Sequence, residues 1–190
     1  MLAPLALLVV LGSDDGWSKV ETREGITVES RKVKDSSFLE LRLTTTSKKS
    51  LASLCDEAWG DGKFDPTEPD LKLRTVLQES ATERVVYEQI TPPVVSPRDY
   101  ALRFTLERTE HTCIVKYVTA PELAPALPKG FVRIERQWGS WTLTEADGVV
   151  TVVFITYADP GGALPAFITS GGHRNESVNR VKLFLSHAKP

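Results

Sequence analysis

The segment VTVVFITY at residues 150–157 constrains this chain most, because it runs into the turn Asp159-Pro160-Gly161-Gly162 and then a helix opening on Pro165. Proline fits the first helical turn, where the missing N–H has no intrahelical partner to lose. An extended strand here puts Val150, Val152, Phe154 and Thr156 on one face and Thr151, Val153, Ile155 and Tyr157 on the other. Both faces are apolar, which predicts cover on both sides. The helix spans 164–188, with Leu164, Phe167, Ile168, Val178, Val181 and Leu185 at helical spacing. Laid across a sheet, such a helix closes either a solid core or a cavity. Gly171 and Gly172 interrupt its pattern, each costing about 1 kcal/mol relative to alanine. They read as a kink, or as a hinge if the helix must swing.

Upstream, alternation at 38–46 sets Leu39, Leu41 and Leu43 against Glu40, Arg42 and Thr44, and pairs this strand with 26–31 as a hairpin. Leu51, Leu54, Cys55 and Ala58 share one face of a short helix over 50–59. Residues 60–70 form a loop by their glycine, proline and aspartate content. A meander follows, with strands at 71–79, 83–90, 98–107, 112–119, 131–137 and 138–145 before the strand at 150–157. Asp147-Gly148 supplies the left-handed turn between the last two. Trp138 and Trp141, three apart, fall on opposite faces of an unbroken strand. The expected arrangement is a bulge at Gly139 that brings both inward with Val132, Ile134 and Leu143.

A chain of 190 residues, 41% hydrophobic and 25% charged, suits one globular domain. Its formal net charge of −2 argues against nucleic acid as a partner. The opening MLAPLALLVVL is shorter than the roughly 20 apolar residues that span a bilayer. With Gly12 and Ser13 behind it, residues 1–13 read as a secretory signal lacking the usual basic start, so a secreted or periplasmic location is expected, with a cytoplasmic one as the alternative. Cys55 and Cys113 read as small buried hydrophobes, with pairing in an oxidising compartment as the alternative.

Catalysis would need acid, base or nucleophile groups within hydrogen-bond reach of each other. His111 falls at a hairpin turn, and His173 and His187 read as surface residues of the last helix. None has metal-ligand spacing. No catalytic constellation, metal site or cofactor is expected, and the chain reads as a binding protein rather than an enzyme. Arg98 and Asp99 point to opposite faces, one anchoring a loop and the other pairing with a neighbouring strand. Arg133 and Glu135 share a face and read as a cross-strand pair.

Three segments carry a family likeness: VVYEQITPPVVSPRDYALRF at 85–104, LPKGFVRIERQWGSWTLTE at 127–145, and the strand, turn and helix start at 150–167. In order and spacing they resemble the lipid-binding START domains, and Gly16-Trp17 with 24–28 resembles the usual domain start. The resemblance covers residues 16–188. It implies an α+β helix-grip fold, a curved antiparallel sheet wrapped around a long C-terminal helix. It also implies a monomer that binds one hydrophobic molecule, a lipid or sterol, for transfer or sensing. The alternative is a helix-grip aromatase/cyclase or hydrolase acting on a hydrophobic substrate.

On that reading Tyr100, Leu102, Phe104, Trp138, Trp141, Phe154, Phe167 and Ile168 line the cavity. Leu123, Leu127, Gly171 and Gly172 belong to its gate. The loop at 119–130 lies beside the helix at the tunnel mouth, where its leucines either touch a bilayer transiently or pack down on the helix. Many START domains carry a ligand-facing arginine where this chain has Phe104. The exchange removes a headgroup contact and favours an uncharged apolar ligand, unless a one-residue shift turns Arg103 inward.

Overall fold

The computed structural model describes residues 16–60, 70–93, 95–162 and 166–189, and of 166–171 only the backbone. Ten strands form one sheet: β1 (Ser18–Arg23), β2 (Ile26–Lys32), β3 (Leu39–Ser47), β4 (Leu71–Glu79), β5 (Glu83–Ile90), β6 (Arg98–Arg108), β7 (Thr112–Thr119), β8 (Val132–Arg133), β9 (Arg136–Ala146) and β10 (Val149–Asp159). Helix α1 (Leu51–Gly60) follows β3, and α2 (Ala166–His187) ends the fold. The order across the sheet is β1-β2-β3-β10-β9-β7-β6-β5-β4, antiparallel throughout, with β8 beside β6 in parallel. This is the α+β helix-grip arrangement expected from the sequence.

Alternation decides which face is inside. Val28, Leu41, Leu43, Val150, Val152 and Phe154 sit on the inner face with Val115, Trp141 and Leu143, all buried in one core with Val178, Val181 and Phe184 of α2. Leu51, Leu54, Cys55 and Ala58 turn the buried face of α1 into the same core. Ser50 starts that helix, its hydroxyl accepting from the Ser53 N–H at 3.2 Å. Asp147 and Gly148 take φ of 52° and 73°, so the left-handed turn forms where expected.

The opposite face departs from expectation. Thr151 is exposed and Val153 and Ile155 are half-buried. Ion pairs dress this side: Glu29 with Arg42 at 2.7 Å, Lys116 with Glu107 at 2.7 Å, and Arg31 with Glu40. Strand β10 is therefore covered by a helix layer on one side only.

No bulge occurs at Gly139. The β9–β10 pairing runs without a shift from Val149 against Ala146 to Asp159 against Arg136. Gly139 instead admits Tyr117, because a Cβ there would collide with the Tyr117 phenol and the Ile155 carbonyl. Tyr117 crosses the glycine and its hydroxyl meets Thr156 at 3.0 Å. The expected strand at 131–137 is also shorter. Val132 and Arg133 pair with Arg98 and Asp99, and β9 starts afresh at Arg136. Strand β1 carries no alternation to read, since its residues are nearly all exposed; pairing with β2 and the bond from Arg23 to Asn175 of α2 at 3.0 Å hold it.

Cys55 and Cys113 form a disulfide that ties α1 to β7 across a separation of 58 residues. A loop of that length corresponds to about 4 kcal/mol of chain-entropy stabilisation. Replacing both cysteines by alanine is expected to lower the urea-unfolding free energy by up to that amount. Unreduced denatured protein should titrate no free thiol.

Candidate ligand site between the sheet and the C-terminal helix

Helix α2 meets the sheet through stacked aromatic rings. Trp141 lies between Phe154 at 4.1 Å and Phe184 at 4.2 Å, the planes within 22° of each other. All three are buried, so the space beneath the C-terminal half of α2 is filled by protein. The helix backbone is continuous through Gly171 and Gly172.

A polar row lies on the inner face of β4, β5 and β6. Pairing places Arg74, Glu88 and Tyr100 in one row across β4, β5 and β6. Tyr100 donates to Glu88 Oε2 at 2.7 Å, and Arg74 Nε donates to Glu88 Oε1 at 2.9 Å. Both side chains of the ion pair are 5% exposed. Burial, then the Glu88 charge, push the Tyr100 phenol well above its usual pKa, so it keeps its proton. Arg180 of α2 is close enough to act on Tyr100 electrostatically. An ion pair in such surroundings is held by complete hydrogen bonding, since losing one partner costs about 3–5 kcal/mol. Phe104 shares this inner face, 5.7 Å from the Tyr117 ring.

His173, Ser177, Arg180 and Phe184 follow one another at helical spacing along α2. Ser177 is buried and donates to the His173 carbonyl at 2.7 Å. Among the described residues, His173 Nε2 and Arg174 Nε are buried atoms without a hydrogen-bond partner. An unpartnered buried polar atom costs about 1–3 kcal/mol.

On the outer face Asp99 is fully buried. It accepts from Arg133 at 2.6 and 3.2 Å and from the Tyr87 hydroxyl at 3.0 Å. Arg133 therefore pairs with Asp99 rather than Glu135, and the Asp99 carboxylate holds its pKa above the usual value. Arg133 also donates to the Pro125 carbonyl at 2.7 Å, which anchors the loop at 119–130 to β6. Arg98 donates to the carbonyls of Pro160 and Ser96 and holds the turn that leads into α2. The two residues thus divide their work as expected, and both serve loops.

Tyr100, Leu102, Phe104, Trp141 and Phe154 all lie on the inner face, the last two within the packed stack. Trp138 does not. Unbroken pairing turns it to the outer face, where it stacks on Tyr157 at 4.0 Å and donates to Glu40 at 2.8 Å. Arg103 is also outward, 3.6 Å from Glu83 and 3.7 Å from Glu122, which rules out the one-residue shift. Leu123 is half-buried, Leu127 is 52% exposed, and Gly172 is exposed. Of Phe167, Ile168 and Gly171 only the backbone is described, so their place at the cavity or gate lies outside the described residues. His173 is half-buried with its Nε2 enclosed, contrary to its reading as a surface residue; His111 and His187 are exposed.

The Arg74–Glu88–Tyr100 row escaped the sequence reading. In one dimension Glu88 is one acid in a strand and Arg74 one base in another. The only signal was register, since Arg74 and Glu88 both fall on the inward phase of their strands.

No protein-family model matches this sequence. A STAR-related lipid transfer protein fragment from Xanthomonas axonopodis has a TM-score of 0.79 and 29% identity, over 93% of this chain and 100% of that one. The chain has the START-like helix-grip fold. Human StAR-related lipid transfer protein 5 has a TM-score of 0.76 at 16% identity, over 93% of this chain and 88% of that one. The Zhui aromatase/cyclase from Streptomyces shares the fold at a TM-score of 0.54 and 13% identity, over 78% of this chain and 92% of that one. An uncharacterized protein of Pseudomonas aeruginosa is 23% identical over 180 residues, 92% of this chain and 88% of that one. Within this START-like fold, Phe104 does not leave the interior uncharged, because charge enters from β4, β5 and α2.

Burial lowers the His173 pKa below its usual 6.5. The unfolded chain then binds its proton first, so this contribution to stability is complete above that value and is lost as pH falls through the folded pKa. Thermal unfolding from pH 7.5 to 5 should show the native protein losing more stability than His173→Gln. Equal losses would place the His173 imidazole in contact with water.

Proposed function

We propose that this protein binds one hydrophobic molecule between the sheet and the N-terminal half of α2, and carries or senses it. The observation that carries this reading is the START-like fold, matched along the full length of a bacterial lipid transfer fragment at 29% identity. The interior supports it. Leu102 and Phe104 supply an apolar wall, while Tyr100 and α2 bring polar groups to one end. Because the Trp141 stack fills the far end, the guest lies toward residues 166–180. Burying roughly 300 Å² of apolar ligand surface is worth on the order of 7 kcal/mol relative to water. A lipid leaving a membrane is not leaving water, so loading and unloading are close to balanced.

The loop at 119–130 is the proposed gate, with exposed Leu127 making transient contact with a membrane surface. A secreted or periplasmic location is part of the proposal, supported by the apolar opening of the chain and by the Cys55–Cys113 disulfide. The protein is proposed to act as a monomer.

One observation favours a second reading, an enzyme of the aromatase/cyclase kind. The buried Tyr100 and Glu88, 2.7 Å apart, have the geometry of an acid–base pair. Both oxygens of Glu88 are already engaged, which suits a positioning role better than proton transfer.

Native mass spectrometry of protein purified from its own cells, with lipid extraction, tests the choice. A carrier retains a stoichiometric hydrophobic molecule that is released unchanged on denaturation. A protein that arrives empty and binds no lipid from an extract would end the carrier reading. Conversion of an added polyketide-like substrate, abolished by Tyr100→Phe, would establish the enzyme.

A further inference from the structure

The two unpartnered atoms of α2 specify more than a hydrophobic guest. Arg174 Nε–H is a donor only, and it is buried with no acceptor among the described residues. On the adjacent residue, His173 Nε2 is buried in the same condition. Burial keeps the imidazole neutral, so in one tautomer this nitrogen is also a donor. Two turns on, Arg180 acts on Tyr100 and carries the positive character of the helix toward the Arg74–Glu88 pair.

The carboxylates nearby do not supply the missing acceptor. Both oxygens of Glu88 are committed, one to Arg74 and the other to Tyr100. Glu176, the acid whose field reaches His173, is exposed. Among the described residues the other buried acids, Glu40 and Asp99, sit on the outer face, bonded to Arg31 and Trp138 and to Arg133 and Tyr87. A bound cation would meet the guanidinium of Arg174, whereas an anionic oxygen acceptor answers both atoms through charge-assisted bonds.

Resting on the carrier reading above, we propose that the bound molecule is an amphiphile with an anionic oxyacid head, a carboxylate or a phosphate. Its oxygens accept from Arg174 Nε and His173 Nε2, while its chain runs along Leu102 and Phe104. This replaces the uncharged ligand that Phe104 alone suggests.

The test uses delipidated full-length protein and four probes below their aggregation concentrations: oleate, oleyl phosphate, oleyl alcohol and cholesterol. Dissociation constants come from displacement of a fluorescent alkyl probe. At least one of the two acids should bind 10-fold or more tightly than oleyl alcohol, which has the same chain, and the tighter acid tells carboxylate from phosphate. Arg174→Gln should remove most of that preference while leaving oleyl alcohol within about twofold; the selectivity of the unaltered protein stands on its own if the variant does not fold. Oleyl alcohol or cholesterol binding as tightly as both acids would overturn the anionic head and leave the carrier reading in place. Binding of none of the four would count against the carrier reading itself and take this inference with it.

Discussion

The stack of Trp141 between Phe154 and Phe184 is the contact on which the rest of the molecule depends. A curved sheet with one apolar face is unstable until something covers that face, and α2 is the longer of the two covering helices. Three rings in face contact bury large area and restrict how the helix can lie. Because the stack sits under the last turns of α2, the C-terminal half is fixed. Val178 and Val181 extend the same core along the helix, so α2 differs from one face to the next, with valines turned into the core and Arg180 toward Tyr100.

That difference gives the interior its chemistry. Arg74, Glu88 and Tyr100 satisfy one another across three strands, and α2 brings Arg180 to them along with two buried nitrogens that no described protein group satisfies. A purely apolar lining would hold any greasy molecule of suitable size. A lining with fixed donors rejects molecules that leave those donors unmet, and this is the physical basis of selectivity in a carrier. Around the start of β6, charge serves a different purpose. Asp99, Arg133 and Arg98 hold the loop at 119–130 and the turn before α2 in place, so both segments around the proposed entrance are tied to the start of β6.

Much of this fold was legible in the residues. Leu41 and Leu43 against Glu40 and Arg42, the four inward residues of α1, and Asp147-Gly148 at the last hairpin each carry a local signal strong enough to read alone. Strand β1 carries none, because its exposed residues have no buried face to declare. The Trp138–Trp141 spacing was ambiguous for a different reason. Three residues apart fits a bulge or an unbroken strand equally well, and only the pairing of β9 with β10 resolves it.

By itself the sequence determined the alternation of most strands, their order along the chain, the last hairpin turn and the inward side of β3, β6 and α1, because these follow from backbone geometry and from residues near one another. Tertiary structure decided that Trp138 faces outward, that Cys55 meets Cys113, and that Arg74, Glu88, Tyr100 and Arg180 gather in one place. Those groups come from elements separated along the chain by loops and whole strands. Their meeting is set by how the sheet curves and where the last helix comes to rest, which no local pattern encodes.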